Sequence, residues 1–477
     1  MMHKPILLKN IGFSFPHKIC FEDFTGQISY GSRIAIIGRN GSGKSTLLNI
    51  LRGMVEPTSG QLVVSSDVVC GYVPQIVEDF DSLSGGQRFN QALTGVLSED
   101  PNVLLLDEPT NHLDQHNRKS LMRMLRAYQG TLIVVTHDVE LLRTCIDTLW
   151  HIDNGRVQVF SGNYDDYIRE IKAKRISIEQ EISRLNRQKK DMHEKLGQEQ
   201  QKASKSKSIG EKNVANRKWT KMTGDLKAMK AEKSQGKKFR TLEDTKQDLQ
   251  EKLSELRLPE EIVPTFSLSS ANVMGRTLIS IVDGSVGYLG QEPLLKQISL
   301  QVGPHDRIAI MGANGSGKST LMKAILGDVQ VATAGDWYTP KPQDIGYLDQ
   351  QYGTLNADKT VFETIQDLVP THSHAEIRRH LNDFLFRKNE EVNTLVTNLS
   401  GGEKARLTLA QIAAKTPRLF MLDEITNNLD LETRGHVIEV LKEYPGAMIV
   451  ISHDEDFLKE IGVTDEYYIE NGSMVRR

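Results

Sequence analysis

The sequence predicts an α/β protein built from two copies of one domain, joined by a long antiparallel α-helical hairpin. Three observations predict this architecture. A set of motifs occurs twice in the same order. Apolar segments of strand length precede the motifs. A charged segment, whose apolar residues recur at heptad-like steps, separates the two sets. The chain has 477 residues, enough for two or three domains of about 100–200 residues each. We expect the first copy at residues 1–167, the hairpin at 168–262 and the second copy at 263–477.

The internal repeat consists of four pairs of motifs. They are GRNGSGKST at 38–46 and GANGSGKST at 312–320, LSGGQ at 83–87 and LSGGE at 399–403, LLLDE at 104–108 and FMLDE at 420–424, and THD at 136–138 and SHD at 452–454. One interval differs between the copies, since seven residues separate Gln75 from Leu83 whereas 48 separate Gln350 from Leu399. The first copy is therefore expected to lack a subdomain that the second copy retains.

The motif GxxxxGK[ST] between an apolar strand and a helix is typical of a phosphate loop. Its glycines let backbone N–H groups converge on phosphates, and the dipole of the following helix favours negative charge. The lysine reaches the β- and γ-phosphate oxygens, and the next hydroxyl binds Mg²⁺. The sequence thus predicts two sites for ATP with Mg²⁺. The predicted residues are Gly38, Asn40, Gly41, Gly43, Lys44, Ser45 and Thr46 in the first copy, and Gly312, Asn314, Gly315, Gly317, Lys318, Ser319 and Thr320 in the second.

Two adjacent carboxylates follow a buried strand in each copy, at the sheet edge where ligands of open α/β sheets collect. Asp107 and Asp423 are predicted to complete the Mg²⁺ shell with Ser45 and Ser319. Glu108 and Glu424 are placed to polarise the attacking water, because phosphoryl transfer needs an oriented nucleophile.

The LSGGQ and LSGGE motifs are a second anion site in each copy, formed by small residues at the start of a helix. Because each copy already has a phosphate loop, this site is best explained as serving the nucleotide of the other copy. Phosphate loop, Gln, LSGGQ, LLLDE, a Leu-Asp pair at 113–114 and 429–430 and a following His together resemble the ATP-binding-cassette ATPases. The resemblance covers nearly all residues outside the linker. It implies two RecA-like cores, each with an antiparallel β subdomain.

The resemblance also implies roles for individual residues. The nucleotide at Lys318 would face Ser84, Gly85 and Gly86, and the nucleotide at Lys44 would face Ser400, Gly401 and Gly402. Mg²⁺ and water would be sensed by Gln75 and Gln350, and the γ-phosphate by His137 and His453. Phe15 and Tyr288 match the position of an aromatic residue that stacks on adenine; simple packing is the alternative for both.

The linker carries two apolar stripes that an antiparallel hairpin would bury. They are Ile178, Ile182, Leu185, Met192 and Leu196, and Leu242, Leu249, Leu253 and Leu256. Between them, residues 201–240 hold 13 Lys or Arg against three Asp or Glu, a net charge of +10. Such a basic tip is expected of a protein that grips nucleic-acid phosphates, with a solvated face as the alternative. Trp219 either stacks on a base or packs within the tip.

The order cassette, charged hairpin, cassette resembles the ABC-F subfamily, as does GNYDDY at 162–167. This resemblance implies a ribosome-binding ATPase whose linker tip contacts ribosomal RNA and exit-site tRNA. The short interval after Gln75 leaves no room for an arm, and no coiled coil follows Arg477; both features resemble the antibiotic-resistance branch. The family motif DEPTNHLD is DEITNNLD in the second copy, where Ile425 replaces Pro and Asn428 replaces His. This difference predicts two sites that bind ATP but hydrolyse it at unequal rates.

Cysteine spacing and the length of apolar segments limit the cellular setting and the classes of protein that fit the sequence. The widely spaced Cys20, Cys70 and Cys145 indicate a reducing, cytoplasmic setting, and no apolar run is long enough to span a membrane. We expect a monomer with an intramolecular sandwich of the two copies. One alternative is the energy subunit of a transporter with a separate membrane partner. Another is a DNA-binding or structural-maintenance-like protein, although the hairpin is short for that class.

Overall fold

The computed structural model describes residues 2–16, 18–75, 85–111, 113–215, 222, 229, 240–243, 245–249, 277–349 and 352–477. The chain forms two compact units. One combines Met1–Tyr167 with Glu261–Arg477, and the other is Ile168–Glu260. In the following, the first cassette is residues 1–167 and the second cassette is residues 263–477.

The first cassette has a six-stranded sheet in the order β5-β6-β7-β3-β8-β9, and a three-stranded sheet in the order β2-β1-β4. The first five strands of the larger sheet are parallel, whereas the smaller sheet is antiparallel. The strands are β1 Ile6–Phe15, β2 Lys18–Ile28, β3 Arg33–Gly38, β4 Ser59–Val63, β5 Cys70–Val73, β6 Val103–Asp107, β7 Thr131–Val135, β8 Thr148–Asp153 and β9 Arg156–Ser161. The helices are α1 Lys44–Leu51, α2 Gly85–Leu97, α3 Gln115–Ala127 and α4 Val139–Cys145, followed by α5 Tyr164–Ala215.

The second cassette repeats this topology, with sheets in the order β14-β15-β16-β12-β17-β18 and β11-β10-β13. Its strands are β10 Ile279–Tyr288, β11 Leu295–Val302, β12 Arg307–Gly312, β13 Val331–Tyr338, β14 Ile345–Leu348, β15 Leu419–Asp423, β16 Ala447–Ile451, β17 Asp465–Glu470 and β18 Ser473–Arg476. Its α-helices are α6 Lys318–Leu326, α7 Val361–Gln366, α8 His374–Asp383, α9 Asn389–Val392, α10 Gly401–Lys415, α11 Leu431–Glu443 and α12 Glu455–Glu460. Short 3₁₀ helices cover Pro342–Asp344, Val396–Asn398 and Ile425–Asn428.

The central strands are continuous apolar runs because both faces of the parallel sheet are covered. All five residues of β6 and all five of β7 are buried. The predicted α/β class, with two cassettes that each carry an antiparallel β subdomain, is confirmed.

The second cassette has a helical subdomain, α7 to α9, between β14 and α10. Ile377, Leu381 and Phe384 of this subdomain join the same hydrophobic core as β15 and β16. In the first cassette, the interval between β5 and α2 includes residues 76–84, which lie outside the described residues.

In the unit Ile168–Glu260, helix α5 carries the first predicted apolar stripe. Leu185 and Leu196 are buried on it, and Leu249 is buried in the helical residues 245–249. Most of the basic tip and Trp219 lie outside the described residues, as do Leu253 and Leu256. No helix in the described part of the chain is both long and apolar enough to cross a membrane.

Candidate functional site

Each cassette has a cavity at its phosphate loop. The cavity at Lys318 has a volume of about 540 Å³, and the cavity at Lys44 about 270 Å³. Tyr288 lines the first of these and Phe15 the second, next to phosphate-loop residues. The structure therefore brings the predicted aromatic residues to the predicted loops. Both residues are also exposed, Phe15 by 52% and Tyr288 by 38%.

Backbone geometry builds both phosphate loops. Gly43 and Gly317 precede α1 and α6 with φ values of 100° and 104°, which favour glycine over any other residue. A Cβ atom at Gly43 would lie 2.8 Å from the Cβ of Cys20, so this position also needs glycine for space. The loops thereby aim the N-termini of two helices into the cavities, as phosphate binding requires.

The phosphate-loop lysines are buried and held by the loop itself. Lys44 Nζ donates to the carbonyl oxygens of Gly38 at 2.8 Å and Arg39 at 3.1 Å, and Lys318 Nζ makes the matching bonds at 2.9 and 3.0 Å. Burial lowers the pKa of both lysines, while the neighbouring carboxylates counteract this effect. The ammonium groups are thus held in place before any nucleotide binds.

The paired carboxylates lie where β6 and β15 end. Glu108 and Glu424 both adopt the left-handed backbone conformation, with φ values of 47° and 48°. Each donates its backbone N–H to the last residue of the neighbouring strand, Val135 at 2.8 Å and Ile451 at 2.9 Å. A left-handed conformation at a non-glycine residue costs about 1–3 kcal/mol and often marks a functional site. In both cassettes the strand ends at the residue before this glutamate.

Burial makes both glutamates stronger bases than exposed carboxylates. It raises the pKa of Glu108 to about 8 and also raises the pKa of Glu424. The two environments differ, since the Glu108 side chain is 11% exposed and the Glu424 side chain 26%. Both glutamates also line the cavities.

The predicted switch histidines lie beside these glutamates. His137 Nε2 is 3.3 Å from Glu108 Oε1, and His453 Nε2 is 3.7 Å from Glu424 Oε1. Burial, assisted by the adjacent lysine, lowers the pKa of His137 to about 3 and that of His453 to about 4. Both imidazoles are therefore neutral at pH 7, and each can donate one hydrogen bond through a protonated ring nitrogen.

Several buried polar atoms at these sites lack a hydrogen-bond partner among the described residues. They are Asp107 Oδ1, both ring nitrogens of His137, His453 Nε2 and the hydroxyls of Ser42 and Ser316 in the phosphate loops. Buried polar groups are rarely left unsatisfied, so these atoms fit a phosphate chain with its cation. Ser319 adds a hydroxyl that donates to Asp423 Oδ1 at 3.4 Å. Serine and aspartate oxygens are ligands that Mg²⁺ prefers.

Sequence reasoning missed Tyr347, whose hydroxyl donates to Asp423 Oδ2 at 3.4 Å. The equivalent Tyr72 has its ring beneath the Arg52 guanidinium, with the guanidinium carbon 3.6 Å from the ring centre. Tyr347 thus bonds to the aspartate of its own cassette, whereas Tyr72 packs against Arg52. A tyrosine three residues before each predicted glutamine was the available signal.

The structure describes only some of the predicted LSGGQ and LSGGE residues and of the predicted glutamines. Ser84 and Gln350 lie outside the described residues, and Gly85 and Gly86 begin α2. Ser400 caps α10, with its hydroxyl donating to Glu403 Oε2 at 2.6 Å. Gly401 and Gly402 are the first residues of that helix.

One cavity receives a residue of the opposite cassette. Arg88 of helix α2, which begins within the LSGGQ motif of the first cassette, lines the cavity at Lys318. The described lining of the cavity at Lys44, which includes Gln75 and Asp107, comes from its own cassette. Arg88 directly follows LSGGQ, and this position was the available signal in the sequence.

The phosphate loop of the first cassette is contacted by the segment that follows the paired acids of the second. Asp430 accepts a hydrogen bond from the Asn40 backbone N–H at 3.0 Å, and Glu432 forms two bonds of 2.5 Å with Arg39. Hydrogen bonds from Thr433 and Asn40 outweigh burial and hold the pKa of Asp430 below its usual range. The second cassette thus reaches the nucleotide-binding loop of the first.

Further cross-cassette contacts involve α3 and α4. Arg118 donates to the His453 carbonyl oxygen at 3.1 Å, and Lys119 lies 3.3 Å from Glu455. Arg143 pairs with Asp456. In the ion pairs Arg39–Glu432, Lys119–Glu455 and Arg143–Asp456, the cation comes from the first cassette and the carboxylate from the second.

The chain is similar to known protein families and to individual proteins. A family model described as ABC transporter matches residues 21–72 and 295–427, and a model described as AAA domain, putative AbiEii toxin, Type IV TA system matches residues 77–143. The chain is 28% identical to the ribosome protection protein VmlR of Bacillus subtilis, covering 96% of this chain and 86% of that protein. It is 30% identical to the erythromycin resistance ATP-binding protein MsrA of Staphylococcus epidermidis, covering 90% of each.

A solved structure has the same fold. The archaeal ribosome recycling factor aABCE1, crystallised with the ribosomal stalk protein aP1, aligns with a TM-score of 0.62. The alignment covers 98% of this chain and 89% of that one at 17% sequence identity.

Proposed function

The chain belongs to the ABC-F subfamily of ATP-binding-cassette ATPases, and from that premise we propose that ATP-driven closure of its cassettes controls binding to the ribosome. The observation that carries the proposal is the contact of each cassette with the other at a phosphate-loop site. Asp430 bonds to the backbone of Asn40, and Arg88 lines the cavity at Lys318. A ligand that binds at such a boundary favours the closed arrangement of the two cassettes.

The chemistry proposed for each site follows from its residues. Lys44 and Lys318 hold the β- and γ-phosphates, and Asp107 and Asp423 hold the cation together with Ser45 and Ser319. Mg²⁺ bound there supplies positive charge that offsets the charge developing in phosphoryl transfer. Adding EDTA is therefore expected to stop ATP turnover.

The glutamates and histidines complete the proposed mechanism. Glu108 and Glu424, which line the two cavities, orient the attacking water and accept its proton. The neutral imidazoles of His137 and His453 each donate a hydrogen bond to the γ-phosphate. Gln75 and Gln350 are proposed to contact the water and the cation.

We expect the two sites to hydrolyse ATP at unequal rates, with the first site faster. Glu108 is more buried than Glu424 and lies closer to its histidine, at 3.3 rather than 3.7 Å. Single-turnover hydrolysis should therefore be slower in Glu108→Gln, where only the second site is active, than in Glu424→Gln. A difference of about tenfold corresponds to about 1.4 kcal/mol of transition-state stabilisation. Equal rates in the two variants would show that these differences have no catalytic effect.

The start of α5 offers a route from cassette closure to the hairpin. Arg143 donates to Asp165 at 2.8 Å and also pairs with Asp456 of the second cassette. Tyr164, one residue before Asp165, is buried. A movement of the second cassette would therefore pull on the first turn of the helix that enters the linker.

Substituting Arg143 by Ala is expected to weaken ATP-dependent ribosome binding several-fold while ATP turnover stays within about twofold, because Arg143 lines neither cavity. Co-sedimentation with ribosomes and phosphate release measure the two quantities. Arg123→Ala is the matched control, since Arg123 lies on α3 and donates to Ser120 of its own helix. Parallel loss of turnover and binding would contradict a role in transmission.

The ribosomal partner is proposed from two lines of support. The names of VmlR and MsrA refer to ribosome protection and to erythromycin resistance, respectively. In this chain, residues 201–240 have a net charge of +10. Basic segments bind nucleic-acid phosphates with a strong dependence on salt. We propose that the basic tip contacts ribosomal RNA and exit-site tRNA in the cytoplasm, and that the protein protects the large subunit against antibiotics.

The test uses Glu108→Gln combined with Glu424→Gln, which is expected to remain in the ATP-bound state. At moderate salt, this protein should co-sediment with ribosomes in the presence of ATP and remain in the supernatant with ADP. If it fails to co-sediment with ATP, the proposal of ribosome binding is wrong. Growth with a panel of antibiotics that target the large subunit tests the protective role separately.

A further inference from the structure

Arg118 forms hydrogen bonds with both cassettes at once. It lies in the first turns of α3, which Asp114 caps by accepting from the Asn117 N–H at 2.9 Å. The Arg118 residue is 8% exposed. Its guanidinium donates to Asp138 Oδ1 of its own cassette at 2.5 Å and to the His453 carbonyl oxygen of the other cassette at 3.1 Å.

The equivalent residue of the second cassette bonds to the matching aspartate, but among the described residues it makes no bond to the other cassette. Arg434 occupies the same place in α11, four residues after the capping Asp430. It donates to Asp454 at 3.3 and 3.4 Å and to Glu460 at 3.2 Å, all within the second cassette. Among the residues that the structure describes, Arg118 of α3 bonds to the His453 segment of the second cassette. Within the same described residues, Arg434 of α11 makes no matching bond to the His137 segment of the first cassette.

The two hydrogen-bond partners of Arg118 are next to, or part of, the histidines proposed to sense the γ-phosphate. Asp138 directly follows His137, and its carboxylate accepts from the Leu141 N–H at 3.0 Å, which fixes the start of α4. The other partner is the backbone of His453 itself, whose ring lies 3.7 Å from Glu424. The His137 segment is thus held by Arg118 from within its own cassette. The His453 segment is also held by a bond from Arg118 of the other cassette.

We propose that Arg118 is a positioning residue that makes ATP hydrolysis at the second site depend on contact with the first cassette. When the cassettes are in contact, the charged donor fixes the His453 backbone, and with it the ring beside Glu424. When the cassettes separate, this bond is lost, whereas the bond of Arg118 to Asp138 and those of Arg434 persist. The inference rests on the proposed function, because it requires that the second site hydrolyses ATP.

The test measures each site separately in the full-length protein. Glu108→Gln leaves the second site to be measured, and Glu424→Gln leaves the first. In the Glu108→Gln protein, adding Arg118→Lys should lower kcat about tenfold, equivalent to about 1.4 kcal/mol, since one ammonium cannot replace both guanidinium bonds. KM for ATP should stay within about twofold, because Arg118 does not line the cavity at Lys318.

Two control substitutions separate coupling from simple structural support. Asp138→Asn removes the charge of the partner within the first cassette, and should lower first-site turnover while leaving second-site turnover within about twofold. Arg434→Lys is the mirror-image control and should leave first-site turnover within about twofold. Arg118→Lys could also lower the unfolding temperature. In that case Arg118→Gln, a neutral variant that keeps one amide donor, should show the same preferential loss of second-site turnover.

Three results would overturn the inference. Arg118→Lys could lower first-site turnover alone, as Asp138→Asn does, which would limit Arg118 to its own cassette. Arg434→Lys could lower first-site turnover as strongly as Arg118→Lys lowers second-site turnover, which would make the coupling symmetric. If the Glu108→Gln protein itself does not hydrolyse ATP, the proposal of two active sites fails, and the coupling fails with it.

Discussion

Substituting Glu108 and Glu424 together by Gln is expected to lower ATP turnover by about a thousandfold or more while ATP binding is retained. A general base contributes about 10²–10⁴-fold to such reactions, and glutamine keeps the shape of the side chain without its basicity. Both residues keep their place at the ends of β6 and β15, since the backbone bonds to Val135 and Ile451 do not depend on the side chain. Phosphate release and equilibrium ATP binding measure the two quantities.

The matched control is Glu99→Gln combined with Glu439→Gln. Both of these glutamates are exposed, and the pair removes the same number of charges from the two cassettes. Turnover of this control should equal that of the unsubstituted protein. If the variant at positions 108 and 424 retained more than about a tenth of the turnover, the glutamates would not supply the base that the mechanism requires.

Replacing Lys44 and Lys318 together by Ala is expected to weaken ATP binding about a hundredfold or more. Each ammonium is buried and already held by two loop carbonyls, so it can contact phosphate oxygens with little further ordering. Hydrogen bonds that involve charged groups contribute about 1.5–3 kcal/mol each, and tenfold in affinity is about 1.4 kcal/mol. Isothermal titration with ATP measures the change.

Lys359→Ala serves as the control for the loss of a lysine. Lys359 forms an ion pair with Asp367 in the helical subdomain, and lines neither cavity. Its removal should leave ATP affinity unchanged. An affinity in the Lys44→Ala, Lys318→Ala protein within about fivefold of the unsubstituted value would contradict the proposed role of the phosphate loops.

Local sequence patterns predicted the parts of the sites that lie within one cassette. A phosphate loop is specified by glycines at fixed spacing, and the φ values of Gly43 and Gly317 show why those positions need glycine. The buried runs of β6 and β15 place Asp107 and Asp423 at the strand ends. In both cases residues that are close together in the chain determine the local structure, so one sequence is enough to predict it.

Contacts between the cassettes could not be predicted in the same way. Arg118 and His453 are 335 positions apart, and nothing in the local sequence of either indicates the other. The repeat even suggests symmetry, because Arg118 and Arg434 occupy equivalent positions and each bonds to the aspartate that follows the histidine of its own cassette. Among the described residues, however, only Arg118 also bonds to the other cassette. Such asymmetry arises from the packing of the two cassettes, which depends on many side chains at once.

The roles of several predicted residues stay predictions. Ser84 and Gln350 lie outside the described residues, as does Trp219 in the basic tip. Ser400 has its hydroxyl directed to Glu403, within its own helix cap. A nucleotide facing this serine would compete with Glu403 for the same hydroxyl.

The central claim is that closure around two nucleotides, one at each site, enables ribosome binding. Its most direct test is the ribosome occupancy of the Glu108→Gln, Glu424→Gln protein after Lys44→Ala or Lys318→Ala is added singly, with saturating ATP. If closure requires both nucleotides, each single lysine substitution should reduce ATP-dependent co-sedimentation to the level seen with ADP. Full co-sedimentation of either variant, with one site verified to be empty, would contradict the claim.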